Sequence, residues 1–196
     1  MKLYDISQEV FSCNVYPGDP APQKQVLASI GDGDLYNLTA FSMCAHNGTH
    51  LDAPYHFLQD GKTIDTLPLE KTVGYAYLTF FDGILRADDA RCILQNAMRA
   101  NPESAGRILI GGDAVVSADA ARVFADAKID LLGNESQTVG PEDAPMEVHK
   151  ILLAAETVLL EGVRLSHVPE GVCFLCAAPL LLAGADGAPC RAVIIR

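Results

Sequence analysis

The stretch Tyr75–Ile110, YAYLTFFDGILRADDARCILQNAMRANPESAGRILI, decides the fold class. Tyr75–Phe81 is aromatic and β-branched, a composition that favours a strand. Asp88–Arg99 then carries Cys92, Ile93, Ala97 and Met98 at helical spacing. Arg107–Ile110 reads as a short buried strand. The same alternation continues toward the C-terminus. Ser117 is an N-cap opening a helix with Ala120, Ala121, Val123, Phe124 and Ala127 on one face. Ile129–Leu132 is another buried strand, and Asp143–Ala155 a helix with Pro145 in its first turn. Thr157–Glu161, Val172–Leu182 and Ala192–Ile195 close the chain as strands. Toward the N-terminus, Lys2–Ser7 reads as an edge strand, followed by a turn at Tyr16-Pro17-Gly18-Asp19-Pro20. Gln25–Ile30 and Asn37–Ala45 are strands joined at Gly31-Asp32-Gly33-Asp34. Strand–helix–strand alternation implies an α/β domain with partly parallel pairing.

The 196 residues are 49% hydrophobic and 20% charged, and no repeat or linker divides them. A single domain spanning 1–196 follows. Fourteen Lys+Arg against 25 Asp+Glu leave a net charge of −11. That balance argues against nucleic acid or an anionic membrane as partner, since both need clustered cations. No apolar run approaches the ~18 residues of a membrane span. The opening MKLYDISQEV carries acids too early for a signal peptide, so a cytoplasmic location is expected. Six cysteines without an export signal read as free thiols. Cys173 and Cys176 lie in an apolar run as small buried hydrophobes.

Three of the five histidines fall between positions 46 and 56, in His46-Asn47-Gly48-Thr49-His50-Leu51-Asp52-Ala53-Pro54-Tyr55-His56. An even scatter would place about 0.3 there. Three imidazoles and a carboxylate are the ligand set that zinc and other divalent first-row metals prefer. Gly48, Thr49 and Pro54 disfavour a helix. Asn47-Gly48 tolerates the left-handed conformation of a tight return, which can aim His46 and His50 at one point. His50 and Asp52 are two apart and share a face if the backbone is extended. Two distant residues could complete a site. His149 lies on the helix Asp143–Ala155, where a surface histidine is equally reasonable. Glu161 ends an apolar strand, either as its exit to solvent or as a catalytic group at a strand's carboxyl end. His167 reads as structural.

HNGTHLDAPYH resembles the H-x-G-T-H-x-D-x-P-x-H signature of the metal-dependent cyclase/kynurenine formamidase family at every fixed position. Asp5-Ile6-Ser7, Pro17-Gly18-Asp19, Asp60-Gly61, Leu67-Pro68-Leu69-Glu70, Leu132-Gly133, Pro179-Leu180 and Pro189-Cys190-Arg191-Ala192-Val193 extend the resemblance along the chain. It implies a swivelling β/β/α-type domain with a mixed sheet and flanking helices, assembled as a homodimer or homotetramer. It implies one or two divalent ions per chain, Zn2+ or Mn2+. His46, His50 and Asp52 would hold the first, and Asp52, Glu161 and His149 the second, with His56 as general acid/base. The implied activity is amide hydrolysis by metal-activated water on a small-molecule substrate, foremost that of an arylformamidase in tryptophan catabolism. Where formamidases of the family carry a tryptophan before P-G-D, this chain has Tyr16, which can stack on an aromatic substrate with a smaller face. Glu135-Ser136-Gln137-Thr138 departs from the family's usual stretch after Leu-Gly. Alternatives are an isatin-like lactam or lactone hydrolase, a non-catalytic metal-containing binding protein, and a thiol-dependent enzyme using Cys44.

Overall fold

A computed structural model describes residues 1–196. Four short apolar strands run parallel through the middle of a nine-stranded sheet: β5 (Val73–Phe80), β7 (Arg107–Gly111), β9 (Leu131–Asn134) and β10 (Val158–Glu161). Parallel neighbours need crossover connections, and each here is a helix. The connections are α1 (Ala87–Ala100), α2 (Ala118–Asp126) and α3 (Met146–Ala154). Antiparallel strands flank this centre. Beyond β5 lie β11 (Gly171–Cys176), β13 (Val193–Ile195) and β1 (Leu3–Asp5); beyond β10 lie β4 (His50–Asp52) and β12 (Gly187–Pro189). A hairpin of β2 (Gln23–Ala28) and β3 (Leu38–Ser42) stands apart, as does a parallel pair of β6 (Gly83–Leu85) and β8 (Ala114–Val116).

Alternation along the central strands separates two cores. Ile108, Ile110, Leu132 and Leu159 point to the face that the three helices cover, where they meet Ala90, Ile93, Phe124 and Leu152. Leu78, Leu109, Leu131 and Leu160 point the other way. They share one buried cluster with Tyr4, Leu51, Leu175, Ala188 and Ile194, so every strand of the sheet contributes to it. The sheet is therefore curled around that second core. This is the mixed α/β architecture with helices on one face that the resemblance implies.

The element readings hold in kind and shift at their ends. The Ser117 cap forms, its hydroxyl accepting from Ala120 N–H. The third helix starts at Met146, with Pro145 as its N-cap residue rather than within the first turn. The strand expected over Val172–Leu182 stops at Cys176, three residues before Pro179, which cannot donate to a ladder. Three-residue strands β4, β6, β8 and β12 escape sequence reading because their ladders depend on distant partners. All six cysteines are unpaired. No helix is long and apolar enough to cross a membrane.

Candidate metal centre

Pairing at one end of the sheet builds the site. Strand β10 is antiparallel to β4, with Glu161 opposite His50 and Leu159 opposite Asp52. Residues two apart on a strand share a face, so His50, Asp52 and Glu161 converge. The turn before β4 has Gly48 at φ +63, the left-handed region that favours glycine. Gly48 carbonyl accepts from His50 Nδ1–H at 3.0 Å and from the Gln137 side-chain amide at 3.1 Å. Helix α3 delivers His149, whose Nδ1–H donates to Pro145 carbonyl at 2.9 Å.

These two backbone acceptors settle which nitrogen of each ring is available. With Nδ1 occupied, Nε2 of His50 and Nε2 of His149 face the carboxylates. His50 Nε2 lies 3.3 Å from Asp52 Oδ1 and 3.6 Å from Glu161 Oε2. His149 Nε2 lies 3.3 Å from Glu161 Oε1 and 3.6 Å from Asp52 Oδ2. His46 is gripped on both sides, with Nδ1 2.8 Å from Asp52 Oδ1 and Nε2 2.8 Å from Asp186 Oδ2. The result is three groups of possible ligands: His46/His50/Asp52 and Asp52/His149/Glu161, joined at Asp52, and His46/His56/Asp186, which shares His46.

Electrostatics match the geometry. Burial opposes charge on His46, but hydrogen bonds and charge from Asp52 and then Asp186 outweigh it and push its pKa up to about 10. Burial likewise opposes charge on His149, and Glu161 with Asp52 raises it to about 9. His50 is raised against burial by Asp52 and Glu161. Asp52 is fully buried, which disfavours its ionised form, yet His46 and His50 hold its carboxyl well below the usual range. Even so, Asp52 Oδ2 has no hydrogen-bond partner. His149 Nε2, at 3.6 Å, is too far to hydrogen-bond it, and an ionised oxygen without a hydrogen bond in the interior is costly unless a cation completes it. The donor set and this orphaned oxygen fit one or two divalent ions held by these five side chains.

His56 sits in the 3-10 turn Pro54–His56, just beyond β4. Its ring is 4.0 Å from that of His46, centroid to centroid, and its Nδ1 is 3.1 Å from Asp186 Oδ2. A cavity of about 240 Å³ opens over the cluster, lined by His46, His50, His56, His149 and Glu161 together with Tyr16, Asp19, Phe57, Gln137, Thr138 and Pro145. Tyr16 O–H donates to Glu142 carbonyl at 3.1 Å, and Phe57 meets His56 edge to face at 4.5 Å. His46, His50, Asp52, His56, His149, Glu161 and Tyr16 thus gather at one place, whereas Cys44 does not line the cavity. Sequence reading missed Asp186, Gln137 and Thr138. Asp186 precedes a strand too short to recognise, and Gln137 and Thr138 lie in the loop that departs from the family pattern. His167 stays outside, its ring packed on Tyr4 at 6.1 Å.

Known proteins resemble this chain in sequence and in fold. A kynurenine formamidase of Salinibacter ruber (strain DSM 13855 / M31) is 33% identical to this chain, covering 99% of it and 97% of the relative. A solved structure of a potential metal-dependent hydrolase with cyclase activity superposes with a TM-score of 0.80 at 29% identity, covering 98% of this chain and 96% of that one. An isatin hydrolase bound to the product analogue thioisatinate shares the fold, with a TM-score of 0.84 at 18% identity over 98% of this chain and 91% of its own. The Cyclase family model matches residues 4–116, and the chain belongs to that family.

Proposed function

We propose that this chain is a metal-dependent hydrolase that cleaves an amide with water, foremost an arylformamidase of the N-formylkynurenine type, in tryptophan catabolism. The observation that carries the reading is the buried Oδ2 of Asp52, which has no hydrogen-bond partner and belongs to the residue shared by two histidine–carboxylate groups beneath an open cavity. His46, His50 and Asp52 would hold one ion, and Asp52, His149 and Glu161 a second, either Zn2+ or Mn2+. When bound, the ion supplies Lewis-acid chemistry, acidifying water and polarising the amide carbonyl.

The chain's own residues do the rest. His56 takes a proton from the attacking water and returns it to the leaving nitrogen as the carbon–nitrogen bond breaks. Tyr16 and Phe57 flank the cavity and offer aromatic faces to an aryl group. A lactam or lactone of the isatin kind is the second reading. It is supported by a lining that contains no Lys or Arg, which suits a neutral ring better than a substrate bearing a free carboxylate.

Two further assignments belong to this reading. The β2–β3 hairpin exposes Val26, Leu27, Leu38 and Phe41, and its turn exposes Ile30, Leu35 and Tyr36. So many exposed apolar side chains on one hairpin and its turn support a homodimer or homotetramer. Six unpaired cysteines support a cytoplasmic location.

The test is elemental analysis of the purified protein, with hydrolysis of N-formylkynurenine, isatin and simple lactones measured before and after chelation. We expect about one or two divalent ions per chain and turnover lost to chelator and restored by Zn2+ or Mn2+. Retained metal with no turnover of any substrate would mean a binding protein. Activity that survives chelation but not thiol alkylation would mean a Cys44 enzyme.

A further inference from the structure

Asp186 ends the loop between β11 and β12 and lies 140 residues from His46 in sequence. Its backbone is fixed beside the metal centre, because its carbonyl accepts from Ala53 N–H at 2.9 Å and the next residue, Gly187, pairs with Asp52. Its side chain then does something unusual. The single oxygen Oδ2 accepts from His46 Nε2 at 2.8 Å and from His56 Nδ1 at 3.1 Å.

The two rings meet this oxygen through different nitrogens. His46 meets Asp52 through Nδ1, so Nε2–H bonded to a carboxylate fixes the ring's tautomer and raises the basicity of Nδ1 as a ligand. His56 bonded through Nδ1 keeps Nε2 as the nitrogen free to handle a proton. One oxygen shared by both rings also fixes their spacing, with centroids 4.0 Å apart.

We propose that Asp186 is a positioning residue that clamps the ion-holding His46 and the proton-handling His56 to each other through one carboxylate oxygen. The His56 half of the proposal rests on the hydrolase reading above; the His46 half does not. Removing the carboxylate should therefore disturb the ion and the proton transfer together, through the two rings it holds.

The experiment loads chelated full-length protein with Co2+ and compares wild type with Asp186→Ala and Asp186→Asn. The side chain is partly exposed and the Ala53 bond is made by backbone, so both variants should melt close to wild type. We expect Co2+ to bind about 10–100-fold more weakly to Asp186→Ala, with an altered visible spectrum. At saturating metal, kcat should fall by a similar factor while KM stays near that of wild type. Asp186→Asn keeps the shape but not the charge and should fall between the two. Unchanged Co2+ affinity and spectrum would overturn the proposal, as would unchanged kcat in the metal-saturated variants. If wild type cleaves none of the substrates, the hydrolase reading fails, and the Co2+ measurement still decides whether Asp186 holds His46.

Discussion

Gly187 and His46 are packed so closely that a Cβ on Gly187 would lie 2.6 Å from His46 Cε1 and 2.7 Å from Leu51 carbonyl. The absent side chain leaves the slot in which the imidazole stands between β12 and Asp52. Gly187→Ala is expected to tilt His46 away from Asp52 and weaken divalent-ion binding by about tenfold or more. Competition against a chromophoric chelator measures it. Affinity equal to wild type would show that the ring has another place to go.

His50 and His56 should separate metal retention from turnover. His50 is buried between Asp52 and Glu161, so His50→Ala removes an imidazole from between both carboxylates and should lose metal. His56→Ala should keep its metal and lose turnover by roughly 100-fold or more, the scale of a general acid/base group. Metal analysis and kinetics on the same preparations decide this, and a metal-free His56→Ala protein would contradict the division.

Protons and metal compete for the same nitrogens. His46 at about 10 and His149 at about 9 are both protonated near neutrality in chelated protein. Loading a divalent ion at pH 7 should therefore release protons, two from His46 and His149 and more to the extent that the raised His50 is also charged, measurable by calorimetry in buffers of different ionisation enthalpy. For the metal-free fold the sign is set by two pKa values raised above the ordinary 6.5. Their stabilisation is complete below pH 6.5 and is lost as pH rises through about 9 and 10. The melting temperature of chelated protein should fall across that window, and a flat profile would refute the pairing.

The helix-side core depends on Phe124, which is fully buried among Ile108, Ile110 and the three helices. Phe124→Ala should cost about 3–5 kcal/mol through lost burial and the cavity left behind. Urea unfolding at constant metal measures it.

The hairpin is expected to mediate self-association. Leu27 is exposed within β2, so Leu27→Glu should alter stability by no more than ~0.5 kcal/mol yet shift the sedimentation coefficient toward that of a monomer. An unchanged coefficient would place the contact elsewhere.

Much of this molecule is legible in its sequence because the relevant physics is local. The alternation from Tyr75 to Ile110 identifies the strand–helix–strand order, since helical and extended periodicities each leave their own spacing of apolar residues. His50 and Asp52 share a face because alternate residues of an extended chain must, and Gly48 makes the return that points them inward.

The tertiary structure alone decided which distant groups join them. Glu161 could have ended its strand in solvent, and His149 could have faced water on its helix. The antiparallel register of β10 on β4 sets Glu161 opposite His50, and burial of α3 against the sheet turns His149 inward. Asp186 arrives only because three residues of β12 pair with β4. Such pairings are selected by how the whole sheet curls around its apolar core. A residue's immediate neighbours carry no trace of that choice.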